Sequence, residues 1–392
     1  MYRRSSFQRT GRRPTAAALR AGPSNATRRP VTSPLLSPFS FPNGLTATNR
    51  VWLAPLTNGQ SHDDGSLGDD ELRWLSYRAR GGFGVVETCA AHVAEDGHAW
   101  KGELGIFADR LLPGLRRLAT EIAAPGALGL VQLFHGGLRA NPQVSGVPTW
   151  SASAVAEPDL PVPRAATEQD ILLVIDRFRD AATRALSAGF AGVELHGAHG
   201  YLLGQFLSAT QNRRTDRWGG AWENRARLLR ETLRAVRAAV PASFVVGVRL
   251  SPEDWGQAKG LDLDENLTLA RWLVEDGADF LHLSLWDASK PSQKRPDTHP
   301  LPLFREAVGA SLPLVVAGGV WTRAEAEALL DKGATAVALG RAGIANPDWP
   351  QRIEDPAWQP RRPPLTRAEL HERGVSETFA GYLRRWKGFV AD

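Results

Sequence analysis

The chain has 392 residues, 43% of them hydrophobic, enough to bury one large core or two smaller ones. Its single cysteine, Cys89, excludes an internal disulfide and any iron-sulfur cluster or structural zinc site needing several thiolates, and no run of about 18 uncharged apolar residues offers a membrane span. The formal charge of +5 sits at the N-terminus: residues 1–34 carry eight Arg and no acid, leaving 39 basic against 42 acidic residues, so neither a nucleic-acid nor a membrane partner is expected, and a reducing, cytoplasmic setting is.

Residues 1–34, rich in Arg, Ser, Thr, Pro and Ala, are too poor in apolar surface to repay ordering and are predicted to be disordered. Arg3-Arg4-Ser-Ser-Phe7 is similar to a twin-arginine export signal, but no apolar segment follows it, and Pro14, Pro23 and Pro30 break the helix that a transit peptide would need. Residues 35–392 read as a single domain that ends in a helical tail. It opens on a hairpin, with Pro42-Asn43-Gly44 turning between Phe39–Phe41 and Leu45–Thr48.

Apolar runs suited to buried parallel strands follow at Val51–Ala54, Gly84–Thr88, Gly129–Phe134, Gly192–Leu195, Phe244–Leu250, Asp279–Leu283, Leu314–Ala317 and Ala336–Leu339. Helical spacing appears between them at Asp70–Arg80, Glu168–Ala188, Glu223–Ala239, Glu265–Glu275 and Thr322–Lys332. Asp69 precedes the first helix, Thr167 with Asp170 reads as a capping box, and Gly189, Gly277 and Gly333 read as stops. Eight strand-helix units predict an α/β fold, a (β/α)8 TIM barrel, with an open doubly wound sheet as the rival.

In a barrel the chemistry lies on loops leaving the strand C-termini. Polar candidates stand at those places: Pro55-Leu56-Thr57-Asn58 after the first strand, Thr88 after the second, Gln132 and His135 at the third, and His196, His199 and Tyr201 at the fourth. Arg249 ends the fifth, Gly318-Gly319 follow the seventh, and Gly340-Arg341 the eighth. The last two glycine turns suit a phosphate, because a bare backbone lets N–H groups approach closely and Arg341 adds a charge-assisted bond. Arg249 is a cation in an apolar strand and needs an anion, either Glu253 or Asp254 nearby or a bound cofactor. Gln132 either satisfies backbone groups or reads a ligand edge. The two histidines are core residues, a metal pair, or neutral donors to one substrate oxygen with Tyr201, at an ordinary pKa, supplying a proton; no further acid or histidine beside them completes a metal set.

Taken together, Asn49-Arg50-Val-Trp-Leu-Ala54-Pro55, Val131-Gln132-Leu133, His196-Gly-Ala-His199-Gly-Tyr201, Asn212-Arg-Arg-Thr-Asp216-Arg-Trp-Gly219-Gly220, Ala317-Gly318-Gly319 and Leu339-Gly340-Arg341 resemble the Old Yellow Enzyme family of flavin-dependent NAD(P)H oxidoreductases, in order and from Pro38 to Phe389. The resemblance implies non-covalent FMN, with Pro55, Leu56, Thr57, Thr88, Gln132 and Arg249 around its ring and Gly318, Gly319, Gly340 and Arg341 at its phosphate. It implies reduction of the flavin by NADH or NADPH, then of an activated alkene bound by His196 and His199 and protonated by Tyr201. A metal-dependent lyase or hydrolase without flavin is the alternative on the same barrel. Some bacterial members carry a cysteine where Thr57 stands and a tyrosine near Gly59, so neither contact is available here, and Cys89 does not take that cysteine's place. Oligomeric state stays open, because the aromatic, arginine-rich C-terminus suits either its own barrel or a neighbouring copy.

Overall fold

The computed structural model describes residues 33–391. The expected N-terminal extension lies outside the described residues except for Ser33 and Pro34; Ser33 accepts from Leu35 N–H and caps a short 3-10 turn at Pro34–Leu36.

Eight parallel strands close into a barrel in sequential order. They are β1 (Val51–Leu53), β2 (Val85–His92), β3 (Leu128–Phe134), β4 (Gly192–Gly197), β5 (Val245–Leu250), β6 (Phe280–Ser284), β7 (Leu314–Ala317) and β8 (Ala336–Leu339). The main helices outside them are α1 (Asp69–Arg80), α2 (Leu112–Ala123), α3 (Glu168–Ala188), α4 (Arg227–Ala239), α5 (Leu263–Glu275), α6 (Pro300–Val308), α7 (Arg323–Asp331) and α8 (Arg341–Ala345). This is the predicted (β/α)8 TIM barrel, and the doubly wound alternative is ruled out by the pairing of the last strand, β8, with the first, β1.

Alternate residues of each strand enter two separate cores, as the two-residue period of a strand requires. Leu53, Val86, Val131, Val193, Val246, Leu281, Val316 and Val337 pack outward against the helices, whereas Trp52, Val85, Leu130, Val245, Phe280, Val315 and Ala336 fill the barrel. The hairpin stoppers the N-terminal end: Phe41 lies 5.9 Å from both Trp52 and Phe280, and those two rings meet edge-on at 5.1 Å. Gly247 makes room for this cluster, since a Cβ there would stand 2.1 Å from the Phe280 ring. One step toward the C-terminal end the interior turns polar, with Glu87, Gln132, Glu194, Arg249 and His282 all buried. That change marks the functional end.

Several boundaries differ from expectation for visible reasons. β2 runs beyond Thr88 to His92 because a register shift between Glu87 and Ala90 inserts an extra residue against β3. The helix expected over 223–239 is two, Trp222–Arg225 and α4, since the Arg225 guanidinium reaches back to the carbonyls of Gly220 and Leu207 and to Glu265. The C-terminal tail packs on its own barrel, with Phe379 edge-on to Trp74 of α1 at 5.4 Å.

Thr167 does form the capping box, its side chain accepting from Asp170 N–H while Asp170 accepts from Thr167 N–H. Thr167→Ala should therefore cost about 1 kcal/mol in denaturant unfolding, with catalysis unchanged.

Candidate active site

The loop leaving β4 is shaped by close approaches. A Cβ on Gly197 would lie 2.9 Å from the Arg249 carbonyl, and one on Gly200, whose φ is +71°, 2.5 Å from that of Gln257. Between them His199 takes a φ of +62°, a left-handed conformation that a side chain adopts only when its surroundings hold it there. One such anchor is the bond from His199 N–H to Ser251 Oγ, 3.1 Å.

A chain of hydrogen bonds fixes the tautomers. Ala198 N–H donates to His196 Nδ1 at 3.3 Å, which leaves the proton of a neutral His196 on Nε2, 3.3 Å from His199 Nδ1. His199 Nε2 in turn lies 2.6 Å from Ser284 Oγ, which also accepts from Arg249 Nη2 at 3.2 Å. The two imidazoles and the guanidinium are thus joined through Ser284 at one end of the barrel. Tyr201 stands beside them, its ring edge-on to Phe134 at 4.5 Å and to His196 at 5.0 Å.

Burial pushes both imidazoles well below the ordinary histidine range, and the Arg249 charge pushes them the same way. Both are neutral donors at neutral pH. Burial moves Tyr201 upward, away from the ordinary value expected of it, so its phenol stays protonated. The histidine shifts carry a stability consequence. Because the unfolded chain takes up protons near pH 6.5 that the fold refuses, stability falls as pH drops below about 6.5, by about 1.4 kcal/mol per pH unit for each such group. Urea unfolding at about pH 7 and about pH 5 should show a smaller loss for His199→Gln than for the wild type; an equal loss contradicts a neutral His199.

Arg249 finds no partner in the carboxylates proposed from its sequence neighbourhood. Glu253 accepts from Ser292 Oγ and from the N–H groups of Gln293 and Lys294, and Asp254 accepts from Leu261 N–H. Among the described residues Arg249 Nε is a buried donor with no hydrogen-bond partner. Gln132 donates from Nε2 to Glu194 Oε1 at 2.7 Å, an assignment that leaves its carbonyl to accept elsewhere. Thr88 is fully buried in the β2 bulge, where its hydroxyl donates to the Cys89 carbonyl at 2.7 Å and accepts from Gln132 N–H at 3.4 Å.

The glycine turns meet at the opposite rim. A Cβ on Gly318 would stand 2.5 Å from the Leu285 carbonyl, Gly319 has a φ of +71°, and a Cβ there would lie 3.7 Å from Arg341 Nη2. Gly340 precedes α8 and approaches Leu56, the partly buried residue between buried Pro55 and partly buried Thr57 on the strap after β1. A buried guanidinium donor without a partner, an amide with a free acceptor and an exposed arginine beside two bare turns fit the ring and phosphate of FMN.

His135, noted at the end of the third strand, belongs elsewhere: it pairs with Asp96 at 3.2 Å and lines a separate cavity of about 780 Å³ with Trp150, His92 and His98. Nor does a metal fit the paired imidazoles, which have the Arg249 cation beside them and belong to no potential ligand cluster among the described residues. The His92–His98–Glu103 group is no better, because its imidazoles stack at 4.3 Å and 6° and their in-plane lone pairs do not converge. Sequence reasoning missed Ser284 at the end of β6, the one strand for which it named no terminal residue; the barrel rule itself pointed there.

Comparison with known proteins shows the family to which the chain belongs. Residues 34–357 match the NADH:flavin oxidoreductase / NADH oxidase family. The "Probable NADH-dependent flavin oxidoreductase YqiG" of Bacillus subtilis is 36% identical over 335 residues, 83% of this chain and 89% of that protein. The NADH:fumarate oxidoreductase of Klebsiella pneumoniae is 36% identical over 334 residues, 81% of this chain but only 36% of that longer protein. Among solved structures, the old yellow enzyme homologue from Zymomonas mobilis superimposes with a TM-score of 0.75 at 29% identity, covering 89% of this chain and 98% of its own. The chain therefore belongs to the NADH:flavin oxidoreductase / NADH oxidase family, as an Old Yellow Enzyme-like barrel that uses FMN with NADH or NADPH.

Proposed function

We propose that the enzyme reduces the C=C bond of electron-poor alkenes, enones foremost and nitro compounds by the same logic. The observation that carries this reading is the cluster of His196, His199 and Tyr201, which Ser284 joins to Arg249. FMN, when bound, supplies a hydride from N5 to the β-carbon, having taken it from NADH or NADPH.

The protein does the rest. His196 and His199 hold the substrate's carbonyl or nitro oxygen with neutral N–H donors, and these bonds strengthen as negative charge grows on that oxygen, so they favour the transition state over the ground state. To donate outward, His199 must exchange its bond to Ser284, and His196 its bond to His199 Nδ1, for one to the substrate, a replacement that leaves no imidazole proton unpaired. Tyr201, protonated and adjacent, delivers a proton to the α-carbon. The relative named for fumarate acts on an alkene of this electron-poor kind, although this chain spans about a third of it.

Product analysis tests the proposal. With NADH or NADPH, an enone should yield the saturated ketone, and an isolated alkene of the same skeleton should be left intact. Consumption of the nicotinamide without saturated product would overturn it.

A further inference from the structure

Below the paired imidazoles lies a layer of charge that the proposed reaction does not use. Glu87, Gln132, Glu194, Arg249 and His282 come from five successive strands, β2 to β6, and Glu87, Glu194 and His282 are each 0% exposed. Glu194 is fully engaged, accepting from Gln132 Nε2 on one oxygen and from His282 Nδ1 on the other, both at 2.7 Å. Glu87 is not. Its Oε1 lies 3.7 Å from the same His282 Nδ1, and neither of its oxygens has a hydrogen-bond partner among the described residues.

One imidazole N–H serves one carboxylate, and Glu194 has it. A second full negative charge on Glu87, with no donor and another carboxylate alongside, is the costliest arrangement a protein interior offers. We propose that Glu87 and Glu194 share one proton and present a single negative charge behind Arg249, and that this pair, with His282 as its positioning residue, sets how strongly the pocket prefers reduced over oxidised FMN.

The charges sum accordingly. Burial and the nearby Glu194 charge push the Glu87 carboxyl well up, into its neutral form. Burial opposes ionisation of Glu194 too, but its electrostatic attraction to and hydrogen bond from His282, the charge of Arg249 and the hydrogen bond from Gln132 outweigh it and hold its carboxyl down. Burial, helped by Arg249, keeps His282 neutral, with its proton on Nδ1 and Nε2 left as an unpaired acceptor. The layer is then one cation and one anion. Reduction of the flavin adds negative charge in front of Arg249, so the share of that guanidinium claimed by the carboxylates behind it is withheld from the cofactor.

The pair also buffers itself. If Glu194 is made neutral, Glu87 loses the neighbour that keeps it protonated and ionises in its place; only removal of both frees Arg249. This rests on the reading that FMN lies against Arg249, and two measurements keep the two claims apart. In the holoenzyme, the flavin midpoint potential of E87Q should match the wild type and that of E194Q should move little. E87Q/E194Q should favour reduced FMN at least tenfold more, an upward shift of about 30 mV for a two-electron couple. In the infrared, which needs no flavin, the neutral-pH spectrum of E87Q should lack one protonated carboxylic acid band that the wild type shows. A potential in E87Q shifted as far as in the double variant, or a carboxylic acid region identical in E87Q and wild type, overturns the shared proton. Absence of any flavin in the wild type would instead defeat the cofactor placement and leave the infrared result standing.

Discussion

Tyr201→Phe slows enone reduction by a factor of about 10² to 10⁴, the usual worth of a positioned proton donor, while NADH or NADPH bleaches the flavin at an almost unchanged rate. The asymmetry follows from what the substitution removes. The ring keeps its edge-on contacts with Phe134 and His196, at 4.5 and 5.0 Å, so the local packing survives. Only the hydroxyl goes. Hydride uptake from a nicotinamide needs no proton from that position, whereas completing a saturated product does. The buried phenol is held above its ordinary range, so in the wild type it is protonated throughout the neutral region and no tyrosine titration should limit the rate there. Stopped-flow measurement of each half-reaction separates the effects, and equal slowing of both would contradict the proton-donor role.

The second large effect is structural. Arg249→Met takes the nearby positive charge away from the buried Glu194 anion, a loss of at most about 3–5 kcal/mol, the cost of breaking a direct buried ion pair. Urea unfolding should show it, together with a lower FMN content in the purified protein. Adding both Glu87→Gln and Glu194→Gln to Arg249→Met should recover part of the stability, because neither carboxylate is then left to carry the stranded charge. A methionine variant as stable as the wild type would mean that Arg249 is not the counter-charge of that layer.

The barrel was legible because each strand is a short apolar run and each helix carries a spacing or a cap, as in the Thr167 and Thr322 boxes. Three helices escaped, the five-residue α8 and two longer ones. α2 begins Leu112-Pro-Gly and α6 begins Pro300-Leu-Pro, and both openings read as turns although proline is preorganised for the first helical positions. The rim residues were legible too, since a polar side chain at the end of a strand has a reason to be there. The layer beneath was not. Glu87 and His282 are single polar residues inside apolar strands, and nothing in a local pattern says that β2 and β6 turn them toward the same point as Glu194. That proximity, like the pairing of Ser284 with both His199 and Arg249, is created by barrel closure. The counter-charge of Arg249 was sought among its sequence neighbours, whereas the carboxylates whose charge it feels, Glu194 and Glu87, come from β4 and β2.

One measurement bears most directly on the central claim that this barrel mouth grips a flavin facing the paired imidazoles. It is the visible spectrum of the purified protein, taken anaerobically before and after one equivalent of NADH or NADPH and again after an enone. The account predicts a yellow protein that bleaches with the nicotinamide and recovers its colour with the enone. A colourless protein that added FMN does not turn yellow would contradict it.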